Sequence, residues 1–156
     1  VYKLAAVEDE QGNIIPKIKV SENTAKITNP HYKKLYRFYD NESGKALADE
    51  LCVYDETIDS TKPHTIFDPD AIWKTKTLTD YTARELHVTV FKNGELVYKQ
   101  PSLYEIRIYC AEQLETLWDE VKRFENPHTY YVDLSKKLWE IKNTLLEKSK
   151  DGKNLK

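Results

Sequence analysis

Lys17, Lys19 and Ser21, at alternate positions, are the residues of this sequence best suited to binding a ligand. Their ammonium and hydroxyl groups are donors that pair well with phosphate oxygens. The surrounding stretch is basic, because residues 14–40 contain six basic and two acidic residues. We therefore predict these three residues as substrate-binding candidates that border a phosphate-bearing ligand. The alternative is a solvated sheet face beside the acidic stretch 41–70, which carries eight acids and two lysines.

Other chemistry has less support in the sequence. The histidines form neither His-Glu-x-x-His nor His-x-x-x-His, so we predict no metal site and no catalytic residue. We expect structural roles for all four histidines: His31, His64, His87 and His128. Cys52 and Cys110 make no Cys-x-x-Cys pair and fit two free thiols of a reducing cytoplasm. With four glycines the chain has no glycine-rich loop to hold phosphate.

The composition indicates one globular domain. The chain has 156 residues, of which 40% are hydrophobic and 32% are charged. A net charge of -2 gives no attraction to nucleic acid or to an anionic membrane, and no apolar run reaches membrane-spanning length. We expect the 11 tyrosines and three tryptophans to serve packing rather than base stacking.

Alternation and turn residues predict an α+β fold with a mostly antiparallel sheet and hairpins. The predicted strands are 2–7, 14–20, 34–39, 45–54, 65–67, 84–92 and 95–100, with a short helical turn at 21–26. Pro16 makes the second strand an edge or a bulge. Asn93-Gly94 predicts a type I′ hairpin that pairs Phe91 with Leu96 and Val90 with Val97.

Two amphipathic helices are predicted after this sheet. Ser102 and Glu105 form a capping box for the first helix, which Asn126-Pro127 ends. Its apolar stripe comprises Leu103, Ile106, Cys110, Leu114, Leu117, Val121 and Phe124. Asp133 is the predicted N-cap of the second helix, which Gly152 ends, and its stripe is Leu134, Leu138, Ile141 and Leu145.

Short motifs in order along nearly the whole chain resemble one family. They include Pro16-Lys17-Ile18-Lys19-Val20-Ser21, Gly44-Lys45-Ala46-Leu47-Ala48-Asp49, Phe67-Asp68-Pro69, and Asn126-Pro127-His128 followed by Val132-Asp133-Leu134-Ser135. The series is similar to the C-terminal part of the nicotinate phosphoribosyltransferase family. The chain departs from that family at Pro30-His31, where relatives carry Pro-Gly.

The resemblance implies an enzyme that makes nicotinate mononucleotide from nicotinate and phosphoribosyl pyrophosphate, with ATP hydrolysis and magnesium, in NAD salvage. It implies a homodimer whose catalytic residues lie upstream of residue 1, in an α/β barrel of the same polypeptide. Residues 1–7 would then be the last strand region of the barrel, 8–150 a C-terminal α+β domain, and 151–156 a frayed tail. The chain has no initiator methionine and opens on a predicted strand, which agrees with a fragment.

Two expectations follow from the resemblance. The chain alone should be catalytically inactive and should hold no cofactor, and it should expose apolar surface where other domains pack. The alternative hypothesis is a free-standing α+β module that binds a phosphorylated small molecule.

Overall fold

The computed structural model describes residues 2–151. In this range ten strands and three α-helices are connected by turns and loops. The strands are β1 (Ala6–Glu8), β2 (Ile14–Pro16), β3 (Lys33–Asp40), β4 (Ala46–Val53), β5 (His64–Asp68), β6 (Ala71–Leu78), β7 (Tyr81–Glu85), β8 (Phe91–Lys92), β9 (Glu95–Leu96) and β10 (Val132–Leu134). The helices are α1 (Leu103–Glu115), α2 (Asp119–Lys122) and α3 (Lys136–Asp151). This arrangement confirms the predicted α+β class with small, mostly antiparallel sheets and C-terminal helices.

The central element is a four-stranded sheet in the order β10-β4-β3-β7. Strand β4 pairs antiparallel with β3 and parallel with β10. Tyr36 and Phe38 of β3 and Ala48 and Cys52 of β4 are buried on one face, as their alternation predicts. The hairpin of β5 and β6 supplies Ile66 and Leu78 to the same apolar cluster, which Tyr81 of β7 completes. This face therefore carries the larger core.

Helix α3 covers the opposite face of the sheet. Its Leu138 is fully buried against Val53 and Leu134. Trp139 packs edge-on against Phe67, and its indole N–H donates to the carbonyl of Pro69 at 3.0 Å. The helix thus joins the sheet to the turn between β5 and β6.

The first residues differ from the sequence prediction. Regular pairing begins only at Ala6 in the predicted strand 2–7 and continues to Glu8, and it covers only Ile14–Pro16 of the predicted strand 14–20. A strand needs a neighbour for its N–H and C=O groups, and only these two segments supply one another. The predicted helical turn is confirmed as a 3-10 turn at Thr24–Lys26, capped by Asn23.

His31 has a φ of 77°. This left-handed conformation suits glycine because an L side chain crowds the backbone there. The ammonium group of Lys33 donates to the carbonyls of Asn29 and Pro30, at 3.0 and 3.2 Å, and also to that of His31. These hydrogen bonds hold the turn around His31.

The region after the β3–β4 hairpin was only partly predicted. Strand β6 has no counterpart in the prediction because its residues Ile72–Thr77 are exposed and mostly polar. Residues 84–92 do not form one strand. Tyr81–Glu85 pairs with β3, and pairing resumes only at Phe91.

The Asn93-Gly94 hairpin is confirmed. Both residues have positive φ, 51° and 82°. Phe91 pairs with Leu96 and Lys92 with Glu95, and the N–H of Val97 donates to the carbonyl of Val90 at 2.9 Å. Local turn chemistry was enough to set this register.

Both helix predictions need correction. The capping box of Ser102 and Glu105 is present, but α1 ends at Glu115 and α2 is a separate short helix, so one helix to residue 124 is wrong. Asp133 is not an N-cap, because Val132–Leu134 is a strand. Ser135 caps α3 instead, and its hydroxyl accepts from the N–H of Leu138 at 3.2 Å. The predicted helix end at Gly152 and the tail from 152 lie outside the described residues.

The two helices should respond differently to truncation of a leucine. Leu138→Ala should lower the free energy of unfolding of the 156-residue chain by about 2–5 kcal/mol, because it leaves a cavity in the core. Leu103→Ala, at a 76% exposed position of α1, should change it by less than about 0.5 kcal/mol. Urea unfolding of both variants measures the contrast, and equal losses would contradict this packing.

Candidate functional site

Lys17 and Lys19 border a shallow, open depression of about 500 Å³ at the N-terminal end of the chain. Lys3 lines the same depression together with Tyr2 and Leu4. Ser21 does not line it, so the structure brings together two of the three predicted substrate-binding residues.

Backbone hydrogen bonds position these lysines. The N–H of Lys17 donates to the carbonyl of Ala5 at 2.8 Å, and the N–H of Lys19 donates to the hydroxyl of Thr28 at 2.9 Å. Both side chains are exposed and reach solvent from the same edge. Three ammonium groups around one depression can attract an anion, although salt screens charges at such an exposed place.

Helix α1 has no buried residue, and its apolar side chains are distributed around the helix instead of forming the predicted single stripe. The predicted stripe residues Leu103, Ile106 and Leu114 are 76%, 44% and 50% exposed. Tyr104 is 73% exposed on the same helix. Apolar surface of this extent on one element is typical of a protein contact.

The C-terminal end of α1 is held by hydrogen bonds, while the rest of the helix is exposed to solvent. The carbonyl of Thr116 accepts from the N–H of Ala46 at 2.7 Å, and the ammonium group of Lys45 donates to the carbonyl of Glu115 at 2.6 Å. The helix is therefore attached to the start of β4 and presents its apolar side chains outward.

A partly buried ion pair lies on the α3 face of the sheet. Arg37 and Asp49, opposite one another on β3 and β4, form a bidentate pair at 2.7 and 2.8 Å. The hydroxyl of Tyr130 donates to Asp49 at 2.8 Å. Asp49 raises the pKa of Arg37 through these hydrogen bonds, and burial raises the pKa of Tyr130. The three groups satisfy one another and serve the fold.

A second polar group lies on the opposite face. Glu50 is 2% exposed, and its carboxylate is 2.8 Å from Nε2 of His64, whose ring N–H donates to it when Glu50 is ionised. The thiol of Cys52 is 3.5 Å from the same carboxylate. Burial, together with the charges of Glu50 and Glu56, raises the pKa of this thiol, so Cys52 is not an activated nucleophile.

Asp133 is the buried carboxylate that differs from these. It is 4% exposed, lies beside Glu50 on neighbouring parallel strands, and lines a pocket of about 170 Å³. Burial, with the charges of Asp68 and Glu50, raises its pKa from 3.8 to about 6. No hydrogen bond from another residue of the described range 2–151 stabilises its charge. Sequence reasoning treated Asp133 as a cap, and only the alternation in Val132-Asp133-Leu134 hinted at a strand.

The histidines have structural contacts. His64 contacts Glu50, Nδ1 of His87 accepts from the N–H of Leu35 at 3.1 Å, and Nδ1 of His31 accepts from the N–H of Tyr32 at 3.0 Å. Within residues 2–151, no group of three or more His, Cys, Asp or Glu residues is arranged to hold a metal ion. None of the helices in this part of the chain is both long and apolar enough to cross a membrane.

The raised pKa of Asp133 predicts a pH-dependent effect on stability. Because the folded-state pKa lies above the unfolded value, the ionised carboxylate costs stability, and this cost develops as the pH rises from about 4 to about 6. Asp133→Asn should therefore raise the free energy of unfolding at neutral pH by at most about 3 kcal/mol and have little effect near pH 3.5.

Urea unfolding of the 156-residue chain at both pH values measures this effect. Asp70→Asn, at an exposed position in the neighbouring turn, is the matched control and should behave alike at both. A loss of stability in Asp133→Asn at neutral pH would show that Asp133 is a stabilising partner instead.

Comparison with known proteins identifies the same family as the sequence motifs. The family model of the nicotinate phosphoribosyltransferase C-terminal domain matches residues 32–142. Nicotinate phosphoribosyltransferase of Bacillus subtilis (strain 168) is 37% identical over 142 residues, which cover 91% of this chain and 29% of that protein. The Caenorhabditis elegans protein of the same name is 31% identical and matches over 93% of this chain and 25% of its own length.

A solved structure agrees. The crystal structure of human nicotinic acid phosphoribosyltransferase matches with a TM-score of 0.68 at 26% identity, over 76% of this chain and 24% of the human one. The chain thus spans about a quarter of the length of the relatives that it matches. With its matched fold and its family match over residues 32–142, the chain belongs to the nicotinate phosphoribosyltransferase C-terminal domain family.

Proposed function

We propose that this chain is the C-terminal domain of an enzyme that forms nicotinate mononucleotide from nicotinate and phosphoribosyl pyrophosphate, coupled to ATP hydrolysis, in NAD salvage. The names of its relatives and its share of about a quarter of their length support this proposal. In it, the reaction, with ATP and Mg²⁺, belongs to the remaining part of the polypeptide. The described residues provide no cluster that suits Mg²⁺, and we assign neither group to this chain.

The domain's proposed role is structural support of the catalytic part. The observation that carries this proposal is α1, a capped helix with exposed apolar side chains and without a buried residue. Burying an apolar side chain of leucine size is worth about 1.5–3 kcal/mol, and α1 gains none of this within the chain. We propose that the preceding part of the same polypeptide, a barrel domain, covers this face.

In this proposal the complete enzyme is a homodimer. Exposed apolar residues of the β8–β9 hairpin, such as Phe91 and Leu96, contribute to the contact between its subunits. The enzyme works in the cytoplasm, where a reducing medium keeps thiols such as those of Cys52 and Cys110 free.

A charge placed on the apolar face of α1 tests the structural role. Ile106→Asp should lower the thermal stability of the complete enzyme, because the variant buries a carboxylate in the domain contact. The same variant should leave the unfolding of the 156-residue chain nearly unchanged, because Ile106 is 44% exposed there.

Arg107→Asp is the matched control, since it places the same residue at the next, exposed position of the helix. Thermal unfolding is measured for both variants, each in the 156-residue chain and in the complete enzyme. Equal effects of Ile106→Asp in the chain and in the complete enzyme would refute a contact through this face.

A second candidate function rests on the depression beside Lys3, Lys17 and Lys19. We propose that Lys17 and Lys19 approach a phosphate group of the ligand, with Ser21 nearby, either in the assembled enzyme or in a free-standing binding module. A hydrogen bond to a charged group is worth about 1.5–3 kcal/mol, so Lys19→Ala should weaken phosphoribosyl pyrophosphate binding by about tenfold or more.

Calorimetry on the complete enzyme and on the 156-residue chain measures this binding. Lys26→Ala removes an equally basic, exposed residue that does not line the depression, and it should bind as the parent does. Unchanged affinity in Lys19→Ala would refute the phosphate site. Binding by the chain alone would favour the free-standing module, and nicotinate mononucleotide formation by the chain alone would refute its structural role.

A further inference from the structure

Asp133 lines a pocket that opens to solvent beside the β5–β6 hairpin. Asp133, Ile66 and Phe67 lie at its inner end, and Lys74, Lys76 and Tyr131 stand at its rim. Its volume of about 170 Å³ is large enough to hold several water molecules. It is smaller than the roughly 300 Å³ of the smallest typical clefts for small-molecule ligands. The space suits a group of side-chain size.

We propose that this pocket is a binding site for a compact organic cation, a guanidinium or ammonium group. Asp133 is its acceptor, and the aromatic residues Phe67 and Tyr131 are among those that line it. The proposal does not rest on the enzyme activity, because every residue involved lies in the described part of this chain.

The charges around the inner end favour a cation. Asp133 on β10 has Glu50 beside it on β4 and Asp68 on β5, and the negative charges of both raise its pKa. The other two acids already have partners, since Glu50 contacts His64 at 2.8 Å and Asp68 contacts Lys74 at 3.6 Å. Asp133 has none within residues 2–151, and its carboxylate oxygens reach solvent in the pocket, where a ligand N–H group can replace water as the donor.

The walls suit a cation with a flat or apolar body. Phe67 and Tyr131 line the pocket, and aromatic faces attract guanidinium and ammonium groups. Ile66, which is 3% exposed, closes the apolar inner end. A carboxylate between aromatic walls is a site where an arginine side chain can be held by a charge-assisted hydrogen bond and by stacking.

NMR titration of the 156-residue chain with methylguanidinium tests the proposal. We expect saturable shifts centred on Ile66, Phe67, Tyr131 and Asp133, with affinity that falls as the pH drops through about 6, where Asp133 takes up its proton. The other titratable and charged groups near it are Asp68, Glu50, His64, Lys74 and Lys76. N-methylurea, a neutral probe of the same shape, should not bind.

Three variants distinguish binding in this pocket from nonspecific attraction of the cation to acidic residues. Asp133→Asn should weaken methylguanidinium binding at least tenfold, and Asp70→Asn, outside the pocket, should not change it. Lys76→Gln removes a positive charge from the rim and should strengthen binding. Equal binding of N-methylurea, unchanged binding in Asp133→Asn, or tighter binding of Mg²⁺ at the same residues would overturn the proposal.

The cation could come from a side chain of the same enzyme or from a free small molecule. Repeating the titration on the complete enzyme distinguishes these sources. Shifts that disappear there, and return when the chain is studied alone, indicate that an arginine or lysine of the remaining polypeptide fills the pocket. Shifts that persist indicate a site for a free cation.

Discussion

The pairing of β4 with β10 is the constraint on which the rest of the structure depends. Three residues of β10 lie parallel to β4, and this short contact closes the edge of the sheet, places Leu134 in the core, and positions Ser135 at the start of α3. Glu56 reinforces the junction, since its carboxylate accepts from the hydroxyl of Ser135 at 2.7 Å and from the N–H of Val53 at 2.6 Å. Helix α3 can cover the sheet only from this starting point.

The same pairing determines where the buried charges lie. Parallel register puts Asp133 next to Glu50 on one face, while Arg37 and Asp49 meet on the other. A buried ion that gains hydrogen bonds is tolerated, and one without them shifts its pKa toward the neutral form. Asp49 and Glu50 have hydrogen-bond partners, whereas Asp133 has none within residues 2–151. The carboxylate of Asp133 at the sheet edge is therefore available to a ligand.

The domain is packed on one side and open on the other. The sheet, the β5–β6 hairpin and α3 bury their apolar residues within the chain, whereas α1 and the β8–β9 hairpin keep theirs exposed. Helix α1 has a capping box and a fixed C-terminal end, and these hold both of its ends in place. A helix formed in advance in this way loses less entropy when a neighbouring domain covers it.

The sequence by itself determined the elements whose instructions are local. The Asn93-Gly94 hairpin, the Ser102 and Glu105 capping box and the alternation in β3 were predictable because each depends on residues a few positions apart. The ordered motifs also identified the family. Only the tertiary structure decided that residues 132–134 form a strand, that Asp133 is buried beside Glu50, and that α1 remains exposed. These outcomes depend on contacts between segments about 80 residues apart, which local patterns do not encode.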